Sequence, residues 1–204
     1  MLEMLVLRGE VAVAGRRGRE RSWDLASRIY PDDEVVPAAQ AHRVRDERRL
    51  RALGIARARG PVSPGELNGV EDAGEPAVID GVNGGWRVDP SYVDGTFSGR
   101  AAVLSPLDRL VFDRKRMGEI FEFDYQLKMY KPAAQRRWGY WAMPVLYGDR
   151  LVGKIDAATD PKQGVLQVAA IHWDVPFTKR MTEKVTRELI DLAAWVQAGL
   201  LLPV

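Results

Sequence analysis

The stretch LVLRGEVAVAGRRGRERSWDL, residues 5–25, decides the fold of the first part of the chain. Its first residues belong to a short segment whose apolar residues recur at helical spacing. Gly9 occupies the position at which a glycine in the left-handed conformation commonly ends a helix. Residues 10–14 and 19–23 have the composition of β-strands, and the glycines of residues 15–18 bracket a basic turn between them. The stretch therefore predicts a short helix followed by a β-hairpin with a basic tip.

A second helix is predicted after the hairpin, over residues 24–29. Pro31 ends this helix. Helix, hairpin and helix follow one another in this order at the end of a winged-helix unit, whose earlier helices would lie upstream of Met1. An isolated helix of fewer than about 12 residues is marginal in water, so the first helix needs neighbours. We expect a fragment or shortened relative of a longer protein, or a second subunit that supplies the missing helices, and we favour the first explanation.

The middle of the chain predicts a second hairpin. After an acidic linker, the arginine-rich residues 38–58 predict a helix with a thin apolar face, and residues 61–76 have the composition of an exposed loop. Two short apolar runs, residues 77–80 and 85–88, flank residues 82–84, whose Asn-Gly pair is typical of a hairpin turn. We therefore expect a second wing-like hairpin in this region.

A capped helix opens the second half of the chain. Ser105, Pro106 and Asp108 are typical of a helix start, and the helix is predicted to continue to Phe121. At helical spacing, the apolar residues form a stripe that we expect to be buried, and three basic residues face solvent. The stripe comprises Leu107, Leu110, Val111, Met117 and Phe121, and the basic group comprises Arg114, Lys115 and Arg116.

A sheet and a covering helix complete the predicted fold. Residues 138–173 predict a three-stranded antiparallel meander, and residues 178–198 predict a helix that covers it and ends before Gly199. The fold class is therefore α+β. We expect winged-helix-type units over residues 1–98, a partial first and a degenerate second, and an antiparallel sheet covered by helices over residues 99–204.

Composition restricts the compartment and the kinds of site. The chain has no cysteine, which excludes disulfides and thiolate chemistry and suits a reducing compartment. No stretch approaches the roughly 18 apolar residues of a membrane span, and residues 1–6 lack the flanking features of a signal peptide. We therefore expect a cytoplasmic protein without a membrane partner.

Charge is unevenly distributed, although the formal net charge is only +2. Residues 1–60 hold thirteen Lys and Arg against nine Asp and Glu, whereas residues 61–104 hold two against seven. The basic charge is mostly arginine, whose planar guanidinium meets two phosphate oxygens at once. The basic block includes the predicted hairpin tip.

Motifs for hydrolysis and for metal binding are absent from the sequence. The two histidines, His42 and His172, lie in separate regions without metal-ligand spacing. The chain contains neither a glycine-rich phosphate loop nor a G-x-S-x-G elbow. We expect no metal and no cofactor, and we interpret the carboxylate pairs as structural. These pairs are Asp108 with Asp113 and Glu122 with Asp124.

The basic hairpin tip is the first candidate binding site. Arg16, Arg17 and Arg19 stand at the turn, and Arg21 follows on the second strand. A wing tip reaches phosphates or the minor groove while the adjoining helix approaches the major groove. The alternative is a solvated hairpin whose charges only promote solubility, and the flanking pattern favours phosphate contact.

A second candidate site, residues 128–141, interleaves basic and aromatic residues. Aromatic side chains stack on exposed bases while basic groups hold the backbone beside them. Core packing explains the aromatic residues at least as well, so only Arg136 and Arg137 are assigned to nucleic acid. The aromatic residues assigned to the core are Trp138, Tyr140 and Trp141.

Three segments carry a family resemblance: residues 5–25, LSPLDRLVFDRKR at residues 104–116, and YKPAAQRRWGYWAMPVLYGDRLVG at residues 130–153. They resemble the AlkZ/YcaQ winged-helix DNA glycosylases, and the resemblance covers nearly the whole chain as the C-terminal half of that family. It implies tandem winged-helix units around a basic channel, duplex DNA as the partner, and excision of alkylated bases, including those in interstrand crosslinks.

The chain departs from this family at its catalytic signature. That signature is a Gln, an apolar residue and then Gln or Asp, which positions the attacking water. Here no Gln is followed two residues later by Gln or Asp, so no catalytic residue is assigned, and activity would require a missing N-terminal segment or a partner chain. The residues that the hairpin and the family's basic channel indicate for DNA binding are Arg16, Arg17, Arg19, Arg21, Arg136 and Arg137.

Three hypotheses follow from the sequence. The first is a DNA-binding portion or shortened paralogue of a DNA glycosylase, inactive alone. The second is a winged-helix transcription regulator, which a fixed sequence preference would separate from a lesion-binding protein. The third is an interaction module whose N-terminal apolar helix docks on another protein, which a stable dimer would favour.

Overall fold

The computed structural model describes residues 2–60, 62–63, 66–67 and 69–203, and of residues 62–63 and 66–67 it describes the backbone only. Contacts divide the chain into two compact units, residues 1–42 and 43–204. The first unit contains α1 (Leu2–Leu7), β1 (Val11–Arg17), β2 (Glu20–Leu25) and α2 (Ala26–Ile29), and α3 (Ala38–Leu53) crosses the division. The fold is α+β, as predicted, whereas the winged-helix assignment and the domain boundary at residue 98 stay predictions.

The second unit holds the remaining elements. Its strands and helices up to the large sheet are β3 (Ile55–Arg57), β4 (Val62–Ser63), β5 (Glu66–Leu67), β6 (Glu75–Ile79), β7 (Val82–Val88), α4 (Arg109–Phe112) and α5 (Arg114–Phe121). The large sheet and its helix comprise β8 (Ala101–Val103), β9 (Ala142–Tyr147), β10 (Arg150–Asp160), β11 (Val165–Trp173), α6 (Lys179–Trp195) and β12 (Gly199–Leu201). No helix of the described residues has the length and apolar character that crossing a membrane requires.

The order helix, hairpin, helix is confirmed in the first unit, but its turn is tighter than predicted. Strand β1 continues through Gly15 to Arg17, and only Gly18 and Arg19 form the turn. Gly18 has φ of +62°, which suits the first central position of a type II′ turn. Gly15 instead lies at a bulge in the β1–β2 pairing.

The helix predicted over residues 38–58 ends at Leu53. Gly54 takes φ of +72°, and residues 55–57 become β3, which pairs antiparallel with β7. Tertiary pairing therefore overrides the helical pattern of this segment. Leu50 at the end of α3 packs with Ala56 and Val70 in a small core.

The hairpin β6–β7 is confirmed, and its turn lies at Asp80-Gly81 rather than at Asn83-Gly84. Gly84 lies within β7 at φ of +95°. A Cβ on this residue would stand 2.7 Å from Nη1 of Arg57. Glycine is favoured at this position by its positive φ, which residues with a side chain rarely adopt, and Asp-Gly provides the turn.

The capped helix predicted over residues 105–121 consists of two short helices. Asp108 caps α4 by accepting a hydrogen bond from the N–H of Leu110 (2.8 Å), and Asp113 caps α5 through the N–H of Arg116 (3.1 Å). Both carboxylates therefore have the structural role that was predicted, and they fulfil it as N-caps of helices. Leu107 precedes α4 in a turn and is exposed, so its assignment to the buried stripe was wrong.

The predicted three-stranded meander is confirmed and belongs to a five-stranded sheet of order β12-β11-β10-β9-β8. Strand β12 joins it parallel to β11. Val185, Leu189 and Ala193 of α6 pack on strand residues such as Val145 and Ile155, forming the largest core. Helix α6 ends at Trp195 instead of continuing to residue 198.

Candidate nucleic-acid interface

The hairpin β1–β2 brings the four predicted arginines together at one end of the first unit. Its register places Arg16 directly opposite Arg21, and Arg17 opposite Glu20, with Arg19 in the turn. Directly opposed residues point to the same face of a strand pair, where like charges destabilise the pairing. Arg16 and Arg21 therefore form a pair of adjacent positive charges.

These four arginines are all exposed. Within the described part of the chain, none of their side chains makes an ion pair or a hydrogen bond. The ion pairs of this unit lie away from the tip, between Arg8 and Glu10 and between Arg28 and Asp24. The guanidinium groups of the tip are therefore available to an external anion.

Arg136 and Arg137 lie in the irregular segment between α5 and β9 of the second unit. Arg136 donates from Nε to the carbonyl of Lys131 (2.8 Å), and its guanidinium lies 4.9 Å from the ring centre of Tyr140. Arg137 pairs with Asp124 (3.0 Å), and both side chains are largely exposed. Such an exposed pair contributes only about 0–1 kcal/mol, so an anion with more charge competes with it.

The aromatic residues of this segment divide between core and surface. Trp138 is buried, as predicted, and its ring stacks near that of Tyr125 in a second core. Tyr140 is about half exposed, so its assignment to the core was wrong. The guanidinium of Arg136 lies over its ring.

Two buried polar groups of this region are structural. The Tyr125 hydroxyl donates to the carbonyl of Ala142 (2.7 Å), and burial raises the pKa of Tyr125 to about 12, so the phenol stays protonated at neutral pH. Lys154 is buried against Asp174, with its Nζ 2.6 and 2.8 Å from the two carboxylate oxygens. The same ammonium lies 4.1 Å from the ring centre of Phe123. Both groups hold the segment before β9 on the sheet.

The structure also contains a basic cleft that the sequence did not predict. It is bounded by the end of α3, by β3 and by the helices α4 and α5, and Arg57 and Arg116 form its floor. Arg116 was expected to face solvent but is buried, because its guanidinium donates to the carbonyls of Leu53 (2.8 Å) and Ile55 (2.9 Å). Burial lowers the pKa of Arg116, and the nearby Asp113 opposes this shift.

A family comparison agrees with these basic surfaces. The family model described as DNA glycosylase AlkZ-like matches residues 1–195. The chain belongs to the AlkZ-like family. Membership associates this AlkZ-like chain with DNA repair and implies that it binds DNA. No solved structure matches the chain.

The predicted DNA contacts of the AlkZ-like chain fall into two groups, one in each unit. The structure assembles Arg16, Arg17, Arg19 and Arg21 on one hairpin and places Arg136 beside Arg137 in the other unit. Which of these side chains touch DNA stays a prediction. Among the described residues, no group of three or more His, Asp or Glu side chains has the arrangement of a metal site.

The cationic residues of the cleft were not predicted from the sequence, because the local pattern around them indicated helices. Arg57 and Arg59 lie in or beside a segment predicted as helix, and Lys115 lies on a helix face predicted to be simply solvated. The available signal was the alternation of residues 56–59, Ala-Arg-Ala-Arg, in which each arginine follows an alanine. That period of two is typical of a strand with its arginines on one face.

Proposed function

We propose that this chain is a DNA-binding portion or shortened paralogue of a DNA glycosylase that acts on alkylated or crosslinked DNA, and that it does not excise bases by itself. The observation that carries the proposal is the exposed arginine cluster of the β1–β2 hairpin, without internal ion pairs. Family membership supports DNA as the partner. The proposed compartment is the cytoplasm.

The electrostatics of the hairpin support a polyanionic partner. Placing Arg16 opposite Arg21 costs free energy in the unbound protein, because both charges lie on one face of an exposed strand pair. A phosphate between them removes this repulsion, and each guanidinium offers a planar pair of donors to its oxygens. Phosphate contacts of this kind position a protein on duplex DNA without reading its sequence.

Arg136 and Arg137 supply a second proposed contact region. Arg136 is oriented by the carbonyl of Lys131 and by the Tyr140 ring. Arg137 would exchange the exposed carboxylate of Asp124 for a phosphate. Because each side chain already has a defined orientation, less conformational entropy is lost when it binds.

The absence of base excision is proposed from the sequence. A glycosylase of this family positions water with a Gln-containing signature, and no Gln of this chain is followed two residues later by Gln or Asp. We infer that excision requires a further segment or a partner chain. The partner would supply the attacking water's general base, while this chain would supply affinity for the duplex.

A titration of labelled duplex, alkylated and plain, by fluorescence polarisation at several salt concentrations tests the proposal. We expect binding that weakens with salt, and no base release in a parallel glycosylase assay. Replacing Arg16, Arg17, Arg19 and Arg21 by Gln should reduce the slope of log affinity against log salt by about 0.9 for each arginine that contacts a phosphate.

A matched control removes four exposed cations from elsewhere in the chain and should leave the salt slope almost unchanged. The control residues lie in the β10–β11 turn and on α6: Lys162, Lys179, Arg180 and Lys184. No binding to either duplex would refute the proposal. Equal losses in the two variants would show that only net charge matters, and strong preference for one undamaged sequence would favour a transcription regulator instead.

A protein-interaction module is the second candidate, favoured by one feature. Helix α1 has no buried residue, and Leu2, Met4 and Leu7 are exposed. Native mass spectrometry separates this candidate from the first. A stable dimer that the Leu2→Glu, Leu7→Glu variant abolishes, without any change in DNA binding, would support it.

A further inference from the structure

The basic cleft of the second unit is lined on its two adjoining sides by α3–β3 and by α4–α5. Two contiguous parts, with cavity volumes of about 40 and 270 Å³, share Arg57, Gly60, Asp113 and Arg116 in their walls. Both volumes are smaller than the roughly 300–1,000 Å³ of pockets that enclose a small molecule. The cleft is therefore an open depression that suits a small anionic group of a larger ligand.

Two of its arginines are held in place by the protein itself. Arg57 makes a two-pronged pair with Glu119 (2.7 and 3.1 Å), and its guanidinium lies 4.4 Å from the ring centre of the buried Trp86. Arg116 binds the carbonyls at the end of α3 and in β3. These contacts fix the floor of the cleft and leave other cations at its rim.

Three rim cations are unengaged. Arg59, Arg109 and Lys115 are exposed, and within the described ranges none of their side chains makes an ion pair or hydrogen bond. Apart from Arg49, which has partners of its own, the floor and rim present five cations: Arg57, Arg59, Arg109, Lys115 and Arg116. Asp113 lines the cleft and Glu119 pairs with Arg57, so these seven residues carry a formal net charge of +3.

The backbone adds to this potential. Asp113, Lys115 and Arg116 all line the cleft, so the N-terminus of α5 lies at its wall. The aligned peptide dipoles of a helix place partial positive charge at this end. Asp113 offsets part of it by capping the N–H of Arg116. The cleft thus combines fixed cations, free cations and a helix N-terminus.

We propose that this cleft binds the phosphate backbone of DNA, as a second contact separate from the β1–β2 hairpin. The inference rests on the proposed function for its choice of DNA over a free phosphate. Arg109 lines one of the two adjoining spaces, and Arg59 and Lys115 line the other. We therefore expect a strand with consecutive phosphates to engage both groups of cations, and a single inorganic phosphate to engage one of them.

The test compares the Arg59→Gln, Lys115→Gln variant with a control of equal charge change, Lys162→Gln, Arg180→Gln. All four side chains are exposed and unpaired among the described residues, so both proteins should fold as the unaltered chain does. Duplex affinity is measured over a salt series. We expect the cleft variant to lose about 1.8 from the salt slope, for two phosphates, and the control to lose almost none.

A second arm titrates inorganic phosphate while NMR follows the N–H signals of Arg59 and Lys115. Two results together support the proposal: small chemical-shift changes of these signals with inorganic phosphate, and larger changes with duplex DNA at a far lower concentration. If the unaltered chain binds duplex and the cleft variant matches the control, the cleft proposal fails while the proposed function stands. If the unaltered chain binds no duplex, the proposed function fails, and phosphate shifts alone would reassign the cleft to small anions.

Discussion

At the scale of single residues, Arg116 shows how a charged side chain becomes part of the core. It lies on α5, where local spacing predicts exposure, yet its guanidinium donates to the carbonyls of Leu53, Ile55 and Leu110. Carbonyls at a helix end have no partner within the helix. A buried arginine satisfies several of them together, which offsets the cost of removing its charge from water.

We predict that Arg116→Met lowers the free energy of unfolding by about 2–4 kcal/mol, because buried carbonyls lose their donor while packing is largely kept. Urea unfolding followed by circular dichroism measures the change. Arg114→Met, two residues earlier on α5 and exposed, is the control and should change the value by less than about 0.5 kcal/mol. Equal effects in the two variants would contradict the role of Arg116.

At the scale of elements, the end of α6 is made by an unexpected residue. Gln197 has φ of +57°, and the N–H groups of Gln197 and Ala198 donate to the carbonyls of Ala194 and Ala193. These are the two bonds of a Schellman motif, whose left-handed position is normally glycine. The sequence favoured Gly199 for this position, but Gly199 begins β12.

We predict that Gln197→Gly stabilises the protein by about 0.5–1 kcal/mol, because glycine removes the strain of a side chain in the left-handed conformation. Thermal unfolding measures the shift. Ala194→Gly, an exposed site inside α6, should destabilise by a similar amount. The same sign of shift in both variants would argue against this explanation.

At the scale of the whole molecule, buried residues are distributed very unequally. The described part of the first unit buries only Ala12 and Ala26, whereas all three core clusters lie in residues 43–204. A chain of about 40 residues rarely buries enough apolar surface to fold without disulfides or a metal, and this chain has no cysteine. The stability of the protein therefore resides in the second unit.

We predict that a fragment of residues 38–204, cut before α3 to keep that helix whole, unfolds cooperatively at nearly the temperature of the full chain. A peptide of residues 1–37 should show a random-coil circular dichroism spectrum. Thermal melts of the two fragments test this. A cooperative melt of the short peptide would contradict the assignment of stability to the second unit.

The sequence by itself determined the elements whose signals are local. The β1–β2 hairpin, the meander over β9–β11 and the amphipathic face of α6 depend on neighbours a few residues apart, and these predictions were confirmed. The basic hairpin was predicted for the same reason. Its arginines are adjacent in sequence, so they are adjacent in space.

Only the tertiary structure decided the features that join distant residues. Arg116 meets Ile55 across 61 positions, and Arg57 meets Glu119 across 62. Gly84 takes its positive φ within β7, beside the guanidinium of Arg57, and not in the turn that its Asn-Gly pair predicted. Periodicity carries no information about such pairs, because it reports which face of an element is apolar and not what packs on that face. These contacts place Arg57 and Arg116 in the basic cleft.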